Sequence, residues 1–500
     1  MVGIPQTAGR RPVKIQKAEL VLDPYSKIPL GRQLADQLRR GIIEEKITLG
    51  SLLPSVRDLA QKLKISRSTV TRCFDELAGQ GYISVVPGSG TSACKRLPGE
   101  LDENRRWLSP SSARAEKPIV FSEYAKRLLA GVQTNASQTK PLLNYGGPPL
   151  EAAPVDRWRE LLLQHIKSST LNQSSSNQDA GFLPLRKAYS GYLARTRAIR
   201  CDLSQVFVFV ARELRLDLLC RLLIDPGDNV AVENPGYPGA RSRLAVHGAN
   251  VLPISVDSQG LNVDELIAMH QPIKLVYLTP SHHEPTGVVM PLSRRRKLLK
   301  WAQETGAILI EDDYDSEFRY DSRPMPSLMS LDDTDSVVHI SCLWKTLSPV
   351  SKLGFMIVPK RLVEPLSCAK LFVERETPAL ESLILTDYIE QGHLERIISK
   401  NRKLYSRRRE CLVRSLKKHL DGSITMSPES AGMDLFVRVT TALSDMQVLE
   451  RAASAEMPMV SAEPYYAGEA PGKEFIIPFS LISEERIESC VKKWAQLLLC

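Results

Sequence analysis

No run of 18 apolar residues occurs in the 500-residue chain, so no stretch is long enough to cross a bilayer as a helix. The basic amino terminus, MVGIPQTAGRRPVKIQ, is not followed by an apolar stretch, which argues against a secretory signal. Cysteines are few and scattered: nine, an odd number, at 73, 94, 201, 220, 342, 368, 411, 490 and 500, with no CxxC. That pattern argues against a disulfide framework or a metal cluster and points to a reducing, cytoplasmic setting, with the thiols serving as small buried apolar groups. The adjacent His282 and His283 have no carboxylate–histidine spacing around them, so they read as hydrogen-bonding loop residues and not as metal ligands.

An apolar fraction of 43% allows sizeable cores, and the length suits about three domains of ~150 residues each. Charge is unevenly placed. Residues 1–95 hold 15 lysines and arginines against 8 aspartates and glutamates, a balance of +7, which leaves only +2 of the chain's +9 for the other 405 residues. A small basic domain ahead of a near-neutral large one is the footprint of a nucleic-acid module joined to something else.

Three domain extents follow: 20–95, a polar linker over 96–118, and 119–500. In the first, Leu30, Leu34, Leu38 and Ile42 recur as one helix face behind Pro29. Ser55-Val56-Arg57-Asp58 reads as a capping box for a second helix with Leu59, Ala60 and Leu63 inside. Lys64-Ile65 makes a tight turn, and Ser66 caps a third helix whose core stripe is Val70, Phe74 and Leu77. The outward first turns of that helix carry Arg67, Ser68, Thr69, Thr71 and Arg72, all hydrogen-bond donors and none acidic. In a helix-turn-helix such a segment enters the major groove of double-stranded DNA. Residues 82–94 then spell a hairpin around Pro87-Gly88-Ser89-Gly90, a wing whose glycines let backbone approach phosphate. The linker opens with Lys-Arg-Leu-Pro-Gly-Glu and is rich in Pro and Ser, a flexible tether.

From about residue 205 strand-like and helix-like segments alternate, which predicts a mostly parallel sheet with helices on its faces. Ala307–Ile310 would deliver Glu311-Asp312-Asp313-Tyr314-Asp315, and Val337–Ile340 would deliver Lys345, to the carboxyl edge where small molecules bind in such sheets. An amine beside an acid and a tyrosine suits a Schiff base to pyridoxal 5'-phosphate (PLP), whose pyridinium nitrogen takes an acidic partner. On spacing alone, a surface lysine after a strand is the open alternative.

Residues 25–93 resemble the GntR family of winged-helix regulators through Pro29-Leu30, Leu53-Pro54-Ser55, Arg57, Leu59-Ala60, Ser66-Arg67-Ser68-Thr69-Val70, Gly81-Tyr82 and Pro87-Gly88-Ser89-Gly90-Thr91. That resemblance implies DNA contacts by Arg57, Arg67, Thr69 and the wing at Gly88. The segments PGYPGAR with Tyr237, Thr279-Pro280-Ser281-His282, Pro285-Thr286-Gly287, Glu311 to Phe318 and Lys345-Thr346-Leu347-Ser348-Pro349 extend it to the MocR-type subfamily, in which the winged helix is fused to a fold-type-I aminotransferase-like α/β domain. This implies PLP on Lys345, with Asp312 at the pyridine nitrogen, Tyr314 at the ring hydroxyl and Tyr237 stacked on the ring. It also implies a head-to-tail homodimer and a small amino compound, or PLP itself, as effector.

The chain departs from the subfamily where the phosphate would be held. Val210-Ala211-Arg212-Glu213-Leu214-Arg215 replaces a Gly/Ser/Gln-rich loop, Trp344 replaces the serine before the lysine, and Lys352 replaces an arginine, leaving a point charge without the bidentate fork. Glu284 stands before Pro-Thr-Gly, and residues 475–480 offer no arginine to clamp a substrate carboxylate. Arg212, Arg215 and Lys352 read either as a rebuilt phosphate site or as helix-surface charges, and Arg294 to Lys297 as a solvated helix face. The leading expectation is a DNA-binding regulator whose aminotransferase-like domain senses a ligand and does not catalyse. The alternatives are an active aminotransferase with a DNA-binding arm and a regulator that has lost PLP.

Overall fold

The structure is a computed structural model that describes residues 20–86, 90–96, 119–131, 147–166, 179–320, 325–374, 377–427 and 431–499. The chain divides into two compact units, with the boundary between Pro118 and Ile119. Gly88 and nearly all of the 96–118 linker lie outside the described residues.

In the first unit α1 (Leu30–Ile43), α2 (Val56–Leu63) and α3 (Arg67–Gly79) close on a core that includes Leu34, Leu38, Ile42, Leu59, Val70, Phe74 and Leu77, the residues their spacing placed inside. Ser55 caps α2 by accepting the Asp58 N–H at 3.2 Å, and its hydroxyl donates to the Asp58 carboxylate at 2.7 Å. Lys64 ends α2 in the left-handed region at φ 53°. The wing is an antiparallel pair, β1 (Ile83–Val86) and β2 (Gly90–Ala93), in the register Ile83 to Ala93.

The second unit is built on an eight-stranded sheet. Its strands are β3 (Val206–Phe209), β4 (Asn229–Asn234), β5 (Asn250–Asp257), β6 (Gly260–Leu261), β7 (Leu275–Leu278), β8 (Ile308–Asp313), β9 (Val337–Cys342) and β10 (Gly354–Ile357), in the order β3-β10-β9-β8-β7-β4-β5-β6. The run from β9 to β5 is parallel, while β10 is antiparallel to both β3 and β9. Apolar clusters on the two faces include Phe207, Phe209 and Ile340 on one side and Val206, Val208 and Phe355 on another, as a strand buried on both faces requires. A smaller antiparallel sheet, β11 (Ile424–Met426), β12 (Leu435–Val439), β13 (Val460–Ser461) and β14 (Glu474–Ile477), packs with the His393–Leu420 and Glu484–Leu499 helices around Trp494.

Two basic positions differ from their expected place. Arg295 is fully buried, and its guanidinium donates to the carbonyls of Met290, Pro326 and Pro280 at 2.9, 3.0 and 2.6 Å. It is an internal clamp on the loop after β7, whereas Arg294 is paired with Asp257 at 2.6 Å and Lys297 with Asp264. Arg215 is also buried and donates to the carbonyls of Ser341 and Phe355, so its charge sits on the paired ends of β9 and β10.

Candidate functional site

On α3 the polar groups organise one another. Ser66 Oγ accepts the Thr69 N–H at 3.1 Å and lies 2.8 Å from Ser68 Oγ and 2.7 Å from Thr69 Oγ1, while Thr71 Oγ1 donates to the Arg67 carbonyl at 3.0 Å. Thr69 is half-buried, its methyl against the start of α1, where a Cβ on Gly31 would come within 3.3 Å. Arg57, Ser66, Arg67, Ser68, Thr71 and Arg72 are exposed, which leaves the arginine forks on the outer face of α2 and α3. Positive charge and hydroxyls at the helix start suit a phosphate-lined groove.

In the second unit the acid run is sorted by strand alternation, because successive side chains on β8 point to opposite faces. Glu311 and Asp313 face one side. Glu311 accepts the N–H groups of Leu328 and Met329 at 2.8 and 3.1 Å and lies 3.2 Å from His339 Nδ1. Burial works against its ionisation, but the contacts with His339 and the Arg295 and Arg197 charges outweigh it and hold the carboxyl at about 2. Asp313 is paired with Arg197 Nε at 2.8 Å. Asp312 faces the other way and accepts from Tyr277 Oη at 2.5 Å. Asp315, beyond the strand, turns to Lys345.

Lys345 sits in a one-turn helix, Trp344–Leu347, just past β9. Its Nζ lies 3.4 Å from Asp434 Oδ2, 3.6 Å from Asp315 Oδ2 and 4.7 Å from the centre of the Tyr314 ring. Burial would lower the lysine pKa, but the carboxylates of Asp434, Asp315 and Glu284 outweigh it and hold the group as an ammonium. His282 Nδ1 meets both Asp315 oxygens at 3.0 and 2.9 Å and the Tyr314 hydroxyl at 3.1 Å. Gly432, at φ +73°, makes this possible, since a Cβ there would fall 2.2 Å from His282 Cε1. His283 Nε2 instead meets the Pro235 carbonyl at 3.0 Å, and burial pushes this imidazole down to about 3.

Glu284 accepts from Tyr465 Oη at 3.3 Å, and burial, reinforced by Asp312, Asp315 and Asp434 against Lys345, pushes its carboxyl up to about 7. Glu233, at the end of β4, accepts the Thr279 N–H and hydroxyl at 2.9 and 2.8 Å and is pushed up to about 8 by burial. Tyr237 is half-buried with its ring over Gly239, where a Cβ would come within 2.5 Å of the phenol. Lys352 is exposed.

Asp434 had no signal in the sequence, because it reaches Lys345 from the start of the second sheet. Asp315 stood in the acid run that strand spacing brought to the same edge as the lysine, while Glu284 stood inside a recognised segment with nothing in its spacing to tie it to Lys345.

PLP has a ring end and a phosphate end. A buried amine, with Tyr314 beside it and Asp312 braced by Tyr277, suits the ring. At the phosphate end, Arg215 is committed to backbone carbonyls, and the Val210 N–H, just ahead of the Arg212–Leu223 helix, already donates to the Glu374 carboxylate at 3.0 Å. A phosphate placed there would face a carboxylate of the chain itself.

The sequence of residues 30–92 matches the family described as bacterial regulatory proteins of the gntR family, and residues 140–467 match aminotransferases of class I and II. The probable rhizopine catabolism regulatory protein MocR of Rhizobium meliloti is 31% identical over 437 residues, covering 87% of each chain. The HTH-type pyridoxine biosynthesis transcriptional regulator PdxR of Corynebacterium glutamicum is 30% identical over 392 residues, 78% of this chain and 79% of that one. Among solved structures, kynurenine aminotransferase of Pyrococcus horikoshii, crystallised with PMP, superposes with a TM-score of 0.65 at 25% identity, covering 76% of this chain and 95% of that one. A winged helix with its arginines outward, followed by an aminotransferase-type sheet with a buried lysine at its carboxyl edge, places this chain in the MocR-type subfamily of GntR transcription regulators.

Proposed function

We propose that this regulator is cytoplasmic and reads a double-stranded DNA operator through Arg57, Ser66, Arg67, Ser68, Thr69, Thr71 and Arg72, with Gly88 of the wing at the backbone. Its working parts are the winged helix of residues 20–95, a tether over 96–118 and an effector and dimerisation domain over 119–500. The large domain forms a head-to-tail homodimer, takes a small amino compound at the Lys345 cleft and does not catalyse transamination. A dimer presents two winged helices, so the operator holds a pair of half-sites and binding falls steeply with salt.

The observation that carries the effector reading is the Lys345 ammonium held between Asp434 and Asp315 at 3.4 and 3.6 Å. A charged lysine is a poor nucleophile. Carboxylates spaced around an ammonium are suited to receive a second one, so a ligand amine competes with Lys345 for Asp434 and Asp315 and favours one state of the tethered dimer over another. With the phosphate end mismatched and no arginine in residues 475–480 to hold a substrate carboxylate, turnover lacks both anchors. PLP as effector is the second reading. It is favoured by Asp312 with its Tyr277 brace, by Tyr314 beside the lysine, and by the likeness to PLP enzymes, with Tyr237 as the residue that would stack on the ring and Lys352 as the cation that would meet a phosphate.

The test is fluorescence anisotropy on a DNA fragment selected from random sequence, with a panel of small amines and with PLP. An effector changes wild-type affinity at least fivefold, while Lys345→Ala and Asp434→Asn lose the response and keep ligand-free affinity within twofold. Amino-group transfer from an amino acid to a keto acid by the purified protein would overturn the non-catalytic reading.

A further inference from the structure

The sheet edge that holds Lys345 also carries, two strands away where β3 ends, a buried ion pair that the effector reading does not use. β3 and β9 both run antiparallel to β10, so the Arg212–Leu223 helix and the Trp344–Leu347 turn leave the sheet from the same edge. Arg215, one turn into that helix, reaches the Ser341 carbonyl near the end of β9, which ties the helix start to the lysine strand. A helix amino terminus gathers unpaired N–H groups and positive dipole, so an anion is stabilised there.

Just ahead of that terminus, at Val210, the chain places a carboxylate of its own. Glu374, at the end of the Val363–Val373 helix, is more than nine-tenths buried, and its Oε1 accepts the Val210 N–H at 3.0 Å. The fully buried Lys370, one turn earlier, holds the same oxygen at 3.5 Å with its Nζ 5.5 Å from the centre of the Phe209 ring, the last residue of β3. The second oxygen, Oε2, is buried and has no hydrogen-bond partner among the described residues. A buried carboxylate with its own counter-cation thus stands beside the helix start, and the only basic side chain described in the first turn beyond that start, Arg215, turns away to the sheet.

We propose that Glu374 is a built-in substitute for a ligand phosphate, so that this cleft takes phosphate-free compounds and gains nothing from a phosphate group. The inference rests on the Lys345 cleft as the ligand site. It predicts that pyridoxal, which has the ring and aldehyde but no phosphate, binds as well as PLP.

The experiment is titration calorimetry of the full-length protein with pyridoxal and with PLP, in wild type and in Glu374→Gln. Glutamine keeps an oxygen for the Val210 N–H and removes the charge. Wild type is expected to bind the two within threefold of each other, and Glu374→Gln to bind PLP at least tenfold more tightly with pyridoxal within twofold. A wild-type preference for PLP of tenfold or more overturns the proposal, as does an unchanged ratio in the variant or an absence of binding by either ligand to either protein. Should the variant not fold, the wild-type ratio alone decides. Lys345→Ala separates the two readings: pyridoxal binding that survives it, with a wild-type ratio near one, refutes Lys345 as anchor and leaves the Glu374 assignment standing.

Discussion

The two units build their chemistry over different distances along the chain. On α3, Ser66, Ser68, Thr69 and Thr71 find their partners within four residues. Around Lys345 the partners come from the loop after β7, the end of β8 and the start of β12, with Asp434 lying 89 positions away. Groups that interact within one helical turn are written into local spacing, whereas a site assembled at a sheet edge depends on which strands become neighbours. The first kind of site keeps a family's motif or loses it visibly. The second can keep its motif, as Lys345 and Asp312 do, while its surroundings change character.

Four experiments sharpen that contrast. The largest effect is expected at Arg295, whose loss leaves three carbonyls and the Glu311 carboxylate buried without it. Arg295→Ala should destabilise the large unit by about 3–5 kcal/mol in urea denaturation, and a loss under about 1 kcal/mol would restore the solvated-face reading. Next is Arg67→Ala, expected to weaken operator binding by about 1–3 kcal/mol if the fork reads a base. An equal loss on random DNA would assign it to phosphate alone.

Third is pH. Glu233 keeps its proton to about 8, whereas the same group in the unfolded chain ionises near 4.5. The folded state therefore binds the extra proton between those values, and stability of the large unit falls as pH rises through that window, by at most about 1.4 kcal/mol per pH unit for one proton. Glu284, with its carboxyl at about 7, adds a slope of the same sign over a shorter range. Glu233→Gln should flatten the melting-temperature profile between pH 5 and 8, and an unchanged slope would place the titration elsewhere. The smallest effect is at the α3 cap: Ser66→Ala should cost the winged-helix unit about 1 kcal/mol, read from its own unfolding transition.

The legible part of the fold was the part with a repeating pattern. Leu34, Leu38 and Ile42 gave α1, and Val337-Val338-His339-Ile340 gave most of β9. β8 runs three residues past its apolar run, because it carries Glu311, Asp312 and Asp313 inside the ladder, where Glu311 is matched to His339 and Asp313 to Arg197. Buried charge breaks the apolar signal on which strand limits are drawn. Arg295 was misleading for the same reason, and Arg215 matched neither of its two readings: an arginine in a helix reads as solvent-facing or ligand-facing until carbonyls from other elements are known to converge on it.

The sequence by itself determined the winged helix and the alternating α/β domain, since each rests on period, cap or motif, and it put Lys345 and the acid run at one sheet edge. Tertiary structure alone decided what surrounds the lysine. Asp434 and Asp315 hold it as a cation, and Glu374 takes the Val210 N–H just ahead of the helix that leaves β3. The reason is electrostatic. In a buried cleft a group's charge state follows from neighbours a few ångströms away, and those neighbours are set by strand order and packing, to which residue spacing along the chain is blind.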